Sequence, residues 1–586
     1  MTQIPAAYRL RAFAATYFRS RVSRSRKEFL KLAQSACRET QRTLLTDLLG
    51  LNQSSTFSRD YGLTSRTTLT EFRQRVPVAD YELIRGYVDQ VANGNHAALL
   101  GETNKLLMFA MTSGTTAASR LIPVTTRFLD DYRRGWQTWG IGTYSDHALL
   151  QKLNIVQISS SHQKTRTADG TPCGNISGLV AVMQKRVVRS LYTIPAAVAE
   201  VADAEAKRYT ILRLALADPW VGIMITANPG TLLQLAEIAN TQAESLIRDI
   251  HNGGISGVDL PASQLRDLKS RLRPDVRRAA QLQQIMNRHG ALRPRACWPM
   301  LQALGVWCGG SAAAYIPRLK QVFDGITIRD HGLHASEGRM TLPLQDETSS
   351  GLLEVQTHFF EFMPVAEAAS ASPVVLEAHE LDEGSEYYIL LTTSSGLYRY
   401  NIRDVVRCTG FYGTTPLLEF RHKGAHISSI TGEKLAESQV VEAVNAAVRE
   451  CGVSLDLFTL TPQWGEPPGY TLFVLCDSPD CERDDLRLHR FAAVVDVQLV
   501  CRNLEYREKR ESGRLAPVRV QVWPPQQWDA FTKTRQSRSG GSLEQYKHPC
   551  LLPDPEFRNL FRGTTWPTSS SPPPAVDVQR LARDVS

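Results

Sequence analysis

Met108-Phe109-Ala110-Met111-Thr112-Ser113-Gly114-Thr115-Thr116 is an apolar run that breaks abruptly into a hydroxyl- and glycine-rich turn. The apolar half predicts a buried strand over residues 104–111 that feeds the turn. Four hydroxyl side chains (Thr112, Ser113, Thr115 and Thr116) surround Gly114. Glycine lets the backbone turn tightly and expose its N–H groups. Successive exposed N–H groups form a concave nest that attracts anions, above all phosphates. The hydroxyls add neutral donors to the same oxygens. An ordinary strand-ending turn has the same composition, so the stretch alone marks a candidate and no more.

The chain around this turn has 586 residues, 42% of them hydrophobic, enough for a large core and more than one domain. Charged residues make up 22%, close to the soluble average. No window approaches the roughly 18 uninterrupted apolar residues of a membrane span. The start, Met-Thr-Gln-Ile-Pro-Ala-Ala-Tyr-Arg, lacks a charged segment followed by an apolar signal core. A cytoplasmic monomer without membrane attachment is the expectation. The net charge of +8 is modest for this size. Arg19, Arg21, Arg24, Arg26 and Lys27 concentrate part of it, with only Phe18 and Phe29 as neighbouring aromatics. Nucleic-acid binding wants aromatic platforms between the basic groups, so a solvated helix face is expected instead. Ten cysteines are scattered without a Cys-x-x-Cys pair, which reads as reduced, mostly buried thiols and no zinc site.

Hydrophobic spacing predicts helices through the first hundred residues, where Phe29, Leu30, Leu32, Leu44, Leu45, Leu48, Leu49 and Leu51 recur at helical intervals. Helices are also predicted over Thr125–Trp139, Ala196–Ala217 and Thr231–Ile250, the last ending at Gly253-Gly254. Short strands are expected at Asn154–Ser159 and Val221–Ala227. Between 350 and 420 the texture turns β-branched and aromatic, predicting strands at Leu352–Val355, His358–Met363, Glu386–Thr392 and Leu397–Tyr400. Beyond a composition shift near 425–432, helix Ser438–Glu450, strand Thr471–Cys476, helix Asp485–Leu499 and strand Val518–Trp523 form an alternating unit. The fold class is thus α/β: a large domain over 1–428 with mixed sheets and helices, and a smaller α/β domain over 429–562. The Ser- and Pro-rich residues 563–586 read as a disordered tail.

Walker-type Gly-x-x-x-x-Gly-Lys, Gly-x-Gly-x-x-Gly, His-Glu-x-x-His and Gly-x-Ser-x-Gly motifs are all missing. Three other segments carry chemistry. His334-Ala335-Ser336-Glu337-Gly338 sets an acid among small residues, suited to Mg²⁺ beside substrate phosphates. Gly396 through Asp404 puts an aspartate after an apolar strand, where two acceptor oxygens suit a ribose diol. Gln545-Tyr546-Lys547 follows the Ser/Gly-rich stretch 537–542, from which a lysine reaches an active site or stays solvated.

Together these segments resemble the auxin-responsive acyl-acid amido synthetase family of plants and its bacterial relatives, within the acyl-adenylate-forming superfamily of firefly luciferase. The likeness runs from about residue 40 to about 553. Thr112 through Thr116 resembles the first ATP loop, Ala335-Ser336-Glu337 the second, and Tyr398-Arg399-Tyr400 through Asp404-Val405-Val406 the third. Val76-Pro77-Val78, Trp298-Pro299, Gly309-Gly310-Ser311, Phe360 through Pro364 and Thr431-Gly432-Glu433-Lys434 match further family stretches in the same order. The resemblance implies that Thr112, Ser113, Gly114, Thr115 and Thr116 hold ATP phosphates. It implies that Ala335 and Ser336 lie along the nucleotide, that Glu337 also binds Mg²⁺, that Asp404 takes the ribose and that Lys423 touches the nucleotide. Lys547 would be the catalytic lysine of a mobile small domain, with Glu337 its partner in catalysis. Ile158, Ser159, Gly309, Gly310 and Ser311 are candidate walls of the acyl pocket. Arg403 stands where the family has a small residue, and the loop continues Ala117-Ala118-Ser119-Arg120 without the glycine common in adenylate formers.

The implied reaction joins a small carboxylic acid to an amino acid at the expense of ATP, through an acyl-adenylate. An acyl-CoA ligase using the same adenylate, and a catalytically impaired relative, are the alternatives.

Overall fold

The computed structural model describes residues 4–112, 120–184, 186–368, 370, 372–424, 427–431, 433–463, 465–476, 485–539 and 547–552. They fall into two compact units. One lies within Met1–Cys308 and Lys320–Phe420, the other within Gly309–Leu319, Arg421–Gly540 and Tyr546–Ser586.

The first unit begins with helices, as their leucine spacing predicts. Cys37–Leu51 buries Leu44, Leu45, Leu48 and Leu49 on one face. That face also carries Gln41, whose amide is fully used. Its Nε2 donates to the carbonyls of Val355 at 2.8 Å and His358 at 2.9 Å, and its Oε1 accepts from the Phe360 N–H at 2.8 Å. A buried amide satisfied on both ends fixes where the helix docks.

Three sheets of four or more strands follow. The predicted strand forms over Leu106–Thr112 and pairs antiparallel with Arg120–Thr125, Thr112 opposite Arg120. The phosphate-loop candidate is therefore the connection of this hairpin. The second sheet is parallel, in the order Asn154–Gln157, Val221–Ile225, Ala303–Val306, Thr327–Asp330. Its two central strands, Val221–Ile225 and Ala303–Val306, are apolar and buried along their whole length, which suits a sheet covered on both faces. The third sheet has seven strands, with Glu386–Thr392 and Tyr400–Tyr412 antiparallel neighbours near its centre.

Several helix and strand limits differ from the expectation. Thr231–Ile250 is two helices, Pro229–Thr241 and Ala243–Asn252. The Thr241 hydroxyl turns back on the carbonyls of Glu237 and Ile238, and Gln242 leaves helical geometry. The predicted stop is in place, with Gly253 left-handed at φ 79°. Ala196–Ala217 splits into a 3-10 turn at Ala196–Glu200 and a helix at Ala204–Ala217, because Asp203 caps the latter through the Ala206 N–H at 2.7 Å. Leu397–Arg399 is not strand. The chain turns at Gly396 and Arg399, both at positive φ, before the strand starts at Tyr400.

The second unit is an alternating α/β layer, as its sequence predicts. Helices Glu437–Cys451 and Asp485–Arg502 pack together, and strand Gly469–Cys476 pairs antiparallel with Leu455–Gln463 and parallel with Arg519–Val522. Among the described residues no helix is long and apolar enough to cross a membrane. The tail expectation, 563–586, lies outside the described residues.

Candidate functional site

The last strand of the parallel sheet, Thr327–Asp330, delivers the second candidate segment. Gly332 turns the chain at φ 82°. A Cβ there would lie 2.1 Å from the Thr341 carbonyl oxygen, so only glycine fits. Asp330 braces the turn, accepting from the N–H groups of Gly332 at 2.6 Å and Cys308 at 2.8 Å. The Leu333 N–H donates to the Thr341 hydroxyl at 2.8 Å. A hairpin then pairs His334–Ala335 with Gly338–Arg339. Ser336 and Glu337 form its two-residue tip, Ser336 half-buried and Glu337 buried. Gly332→Ala should cost about 2–4 kcal/mol of stability, from the φ and the clash together. A clear drop in the urea midpoint checks this.

Glu337 faces Tyr400, the first residue of the strand that carries Asp404. Burial pushes the Tyr400 phenol well above its usual range; the Glu337 carboxylate raises it further and the Arg120 guanidinium opposes. Arg120 is the first described residue after the phosphate-loop candidate, and it also sits over the Tyr81 ring at 5.6 Å. The Tyr81 hydroxyl holds the adjoining strand by accepting from the Leu121 N–H at 3.2 Å and donating to its carbonyl at 3.1 Å. The structure thus gathers the root of the hairpin loop, Glu337 and the Tyr400 end of the third segment.

Asp404 is buried in the Tyr400–Tyr412 strand. The register against Glu386–Thr392 slips between Tyr388 and Leu390, so Ile402, Arg403 and Asp404 together form a bulge opposite Ile389. Arg403 occupies it at φ 62°. That conformation favours glycine. Arg403 does not pair with Asp404; its guanidinium meets Asp80 at 2.6 Å.

Other predicted residues are placed as follows. Ser113, Gly114, Thr115 and Thr116 lie outside the described residues. Thr112 ends its strand. Ile158 is buried at the carboxyl end of the parallel sheet, its N–H on the Ile225 carbonyl at 2.9 Å, and Ser159 is half-buried beside it. Gly309, Gly310, Ser311, Lys423 and Lys547 belong to the second unit, with Gly310 at φ 57° opening a 3-10 turn. Lys423 is half-buried and Lys547 exposed.

Sequence reasoning missed a polar core behind the Glu337 hairpin. Burial pushes the Asp330 and Glu354 carboxyls up to about 7. Burial also lowers Arg339 to about 10 and His358 to about 3. The Arg339 guanidinium lies 4.6 Å from the Trp136 ring and donates to the His331 carbonyl at 2.5 Å. The run Arg329-Asp330-His331, which ends the Thr327–Asp330 strand and leads out of it, was the available signal. It places ionisable groups where the chain enters the core.

Family models match most of the chain: the GH3 family N-terminal domain over residues 26–328, its central domain over 351–423 and its C-terminal domain over 438–556. The indole-3-acetic acid-amido synthetase GH3.8 of Oryza sativa subsp. indica is 25% identical over 579 residues, covering 91% of each chain. The indole-3-acetic acid-amido synthetase GH3.3 of Arabidopsis thaliana is 23% identical, covering 91% of this chain and 92% of its own. Among solved structures, the GH3.15 acyl acid amido synthetase superposes with a TM-score of 0.79 at 22% identity over 91% of this chain and 95% of that one. A 2-hydroxyisobutyryl-CoA ligase in its postadenylation state gives 0.54 at 12% identity over 90% and 93%. These likenesses show a shared fold, and the three domain matches in unbroken order show that this chain belongs to the GH3 family.

Proposed function

We propose that this chain is an ATP-dependent acyl-acid amido synthetase, a ligase that forms a carbon–nitrogen bond between a carboxylic acid and an amino acid. Membership of the GH3 family, with matches spread between residues 26 and 556 and relatives named as amido synthetases, carries the reading. A carboxylate oxygen attacks the α-phosphorus of ATP, giving acyl-adenylate and pyrophosphate. The amino acid's amine then attacks the acyl carbon, AMP leaves with the bonding pair, and the ammonium proton passes to solvent. The first step is needed because a carboxylate oxygen is a poor leaving group and AMP a good one.

The residues fit the nucleotide. Glu337 offers a buried carboxylate oxygen at a braced hairpin tip, the hard ligand Mg²⁺ prefers. Mg²⁺, when bound, neutralises phosphate charge. Asp404 offers a buried carboxylate for the ribose hydroxyls. The Thr112–Thr116 loop and Lys423 complete the nucleotide contacts. Lys547 supplies a point charge from the small domain, which we take as 429–562, rotating about residues 425–434 between half-reactions. The acyl group is taken against Ile158 and Ser159, with Gly309, Gly310 and Ser311. The cysteines seen in the structure are all unpaired, as in the reducing cytoplasm.

The test is ATP–pyrophosphate exchange across a panel of carboxylic acids, followed by an amine screen on the adenylate. Exchange that depends on an acid, and AMP release that depends on an amino acid, are expected. Release by coenzyme A and no amino acid would replace the reading with an acyl-CoA ligase, and no exchange with any acid would leave an inactive relative. Lys547→Ala should slow exchange by about a hundredfold. Lys547 is exposed, so the melting temperature should stay put. Unchanged exchange would remove Lys547 from the mechanism.

A further inference from the structure

The first two helices, Ala6–Ala14 and Thr16–Ser35, carry nearly all of the chain's net charge. Residues 1–27 hold seven cations, from Arg9 to Lys27, and no acid, against a net charge of +8 for the whole chain. The rest of the sequence is therefore balanced to within a single charge. The match to the GH3 family N-terminal domain begins at residue 26, so nearly all of this segment precedes the family pattern. One side of the two helices is fixed to the body of the first unit. Arg11 Nη1 donates to the Ser190 carbonyl at 2.8 Å, and its Nη2 donates to Asn154 Oδ1 at 2.8 Å. The Tyr8 hydroxyl accepts from Asn154 Nδ2 at 3.2 Å. Ala12, Val22 and Phe29 are buried on that side.

The opposite side carries a stripe. Leu10, Phe13, Tyr17, Arg21 and Arg24 follow one another at intervals of three and four residues, which set side chains in line along one helix face. Ala15, between the two helices, keeps a right-handed helical backbone at φ −77° and ψ −4°, so the stripe continues across the junction. Leu10 is 70% exposed, Phe13 77% and Tyr17 81%, with Phe18 exposed beside them. Arg21 and Arg24 are exposed as well. An apolar end and a basic end thus share one outward face. Large apolar side chains left open in a row on a docked helix mark a contact surface.

We propose that this stripe holds the protein peripherally on an anionic membrane surface. Leu10, Phe13 and Tyr17 enter the boundary between headgroups and acyl chains, and Arg21 and Arg24 meet the anionic headgroups. A bilayer needs only one face of a helix, and the other face is already taken. A second copy would bring two basic, acid-free segments together, which like-charge repulsion opposes. A nucleic acid would use the cations and stack on the aromatic rings but gives Leu10 no partner. No membrane-crossing helix is involved. This contact replaces the expectation of a chain without membrane attachment, and it is independent of the synthetase reading.

Co-sedimentation of the full chain with vesicles tests it, using phosphatidylcholine alone and phosphatidylcholine mixed with phosphatidylserine. Binding to the mixed vesicles is expected, about tenfold or more tighter than to the neutral ones and weakened by salt. Arg21→Gln combined with Arg24→Gln should weaken it by about tenfold or more. Phe13→Ser combined with Tyr17→Ser should weaken it by a similar factor, through lost apolar burial. All four side chains face solvent, so both double variants should keep the melting temperature and the acid-dependent pyrophosphate exchange of the unaltered chain. No binding to the mixed vesicles, equal binding to the neutral ones, or undiminished binding by either double variant would each overturn the proposal. Dimers or RNA binding that Phe13→Ser with Tyr17→Ser abolishes, in the absence of vesicle binding, would overturn it as well and assign the stripe to that partner.

Discussion

Glu337→Gln is expected to lower acid-dependent pyrophosphate exchange by about a hundredfold while leaving stability within about 1 kcal/mol. Glutamine has nearly the shape of glutamate, so the hairpin tip keeps its packing. Its base is braced from below by the Asp330 contacts to Gly332 and Cys308 and by the Thr341 hydroxyl, none of which involves position 337. What changes is charge. An amide oxygen binds Mg²⁺ far less well than a carboxylate, because the ion needs negative charge to give up its waters. Raising Mg²⁺ should therefore recover part of the lost rate. The Tyr400 phenol offers a second readout. The Glu337 carboxylate contributes to its upward shift, so the variant should bring it closer to an ordinary phenol. An exchange rate equal to that of the unaltered chain would take Glu337 out of the site.

Glu361→Ala should be the most destabilising of these changes, by about 3–5 kcal/mol. Glu361 is 1% exposed and is the carboxylate that Arg73 and Arg399 share. Arg399 is itself buried. Removing the acid leaves two guanidinium groups facing one another with only carbonyl acceptors, and one of the two is out of reach of water. Removing the pair together is cheaper. Glu361→Leu combined with Arg399→Leu should be less destabilised than Glu361→Ala, since an uncompensated buried charge costs more than an apolar replacement. Urea midpoints for the single and double variants decide this. A midpoint for Glu361→Ala within the error of the unaltered chain would show that the network carries no net stability.

Some of this was legible in the sequence and some was not, for physical reasons. Leu106–Thr112 was readable because its centre, Met108, Phe109 and Ala110, is buried on consecutive residues, which takes an uninterrupted apolar run, and residues 106–111 supply one. Gly253 was readable as a helix stop because the left-handed cap is a local property of one residue. The break at Gln242 was not, because it turns on a hydroxyl competing for carbonyls within a sequence that remains apolar at helical spacing. Likewise the strand limit at Tyr400 is set by positive φ at Arg399, a residue whose composition gives no hint of it. Arg403 drew notice as a bulky cation beside the Asp404 carboxylate. Only the bulge shows that its backbone aims it at Asp80 instead. The order of the site segments came from resemblance. That Glu337 and Tyr400 face one another follows from tertiary pairing, which no local pattern encodes.

The Gln41 amide has a consequence for how the chain is made. Its partners lie 314 to 319 residues downstream. At about 5–20 residues per second, those partners leave the ribosome some 15–60 s after the helix that needs them. Through that interval Leu44, Leu45, Leu48 and Leu49 have no central sheet to cover them. Synthesis at low temperature or with slow codons between positions 51 and 351 lengthens the exposure. The yield of soluble chain should therefore follow elongation speed and chaperone supply more closely than the stability of the finished protein.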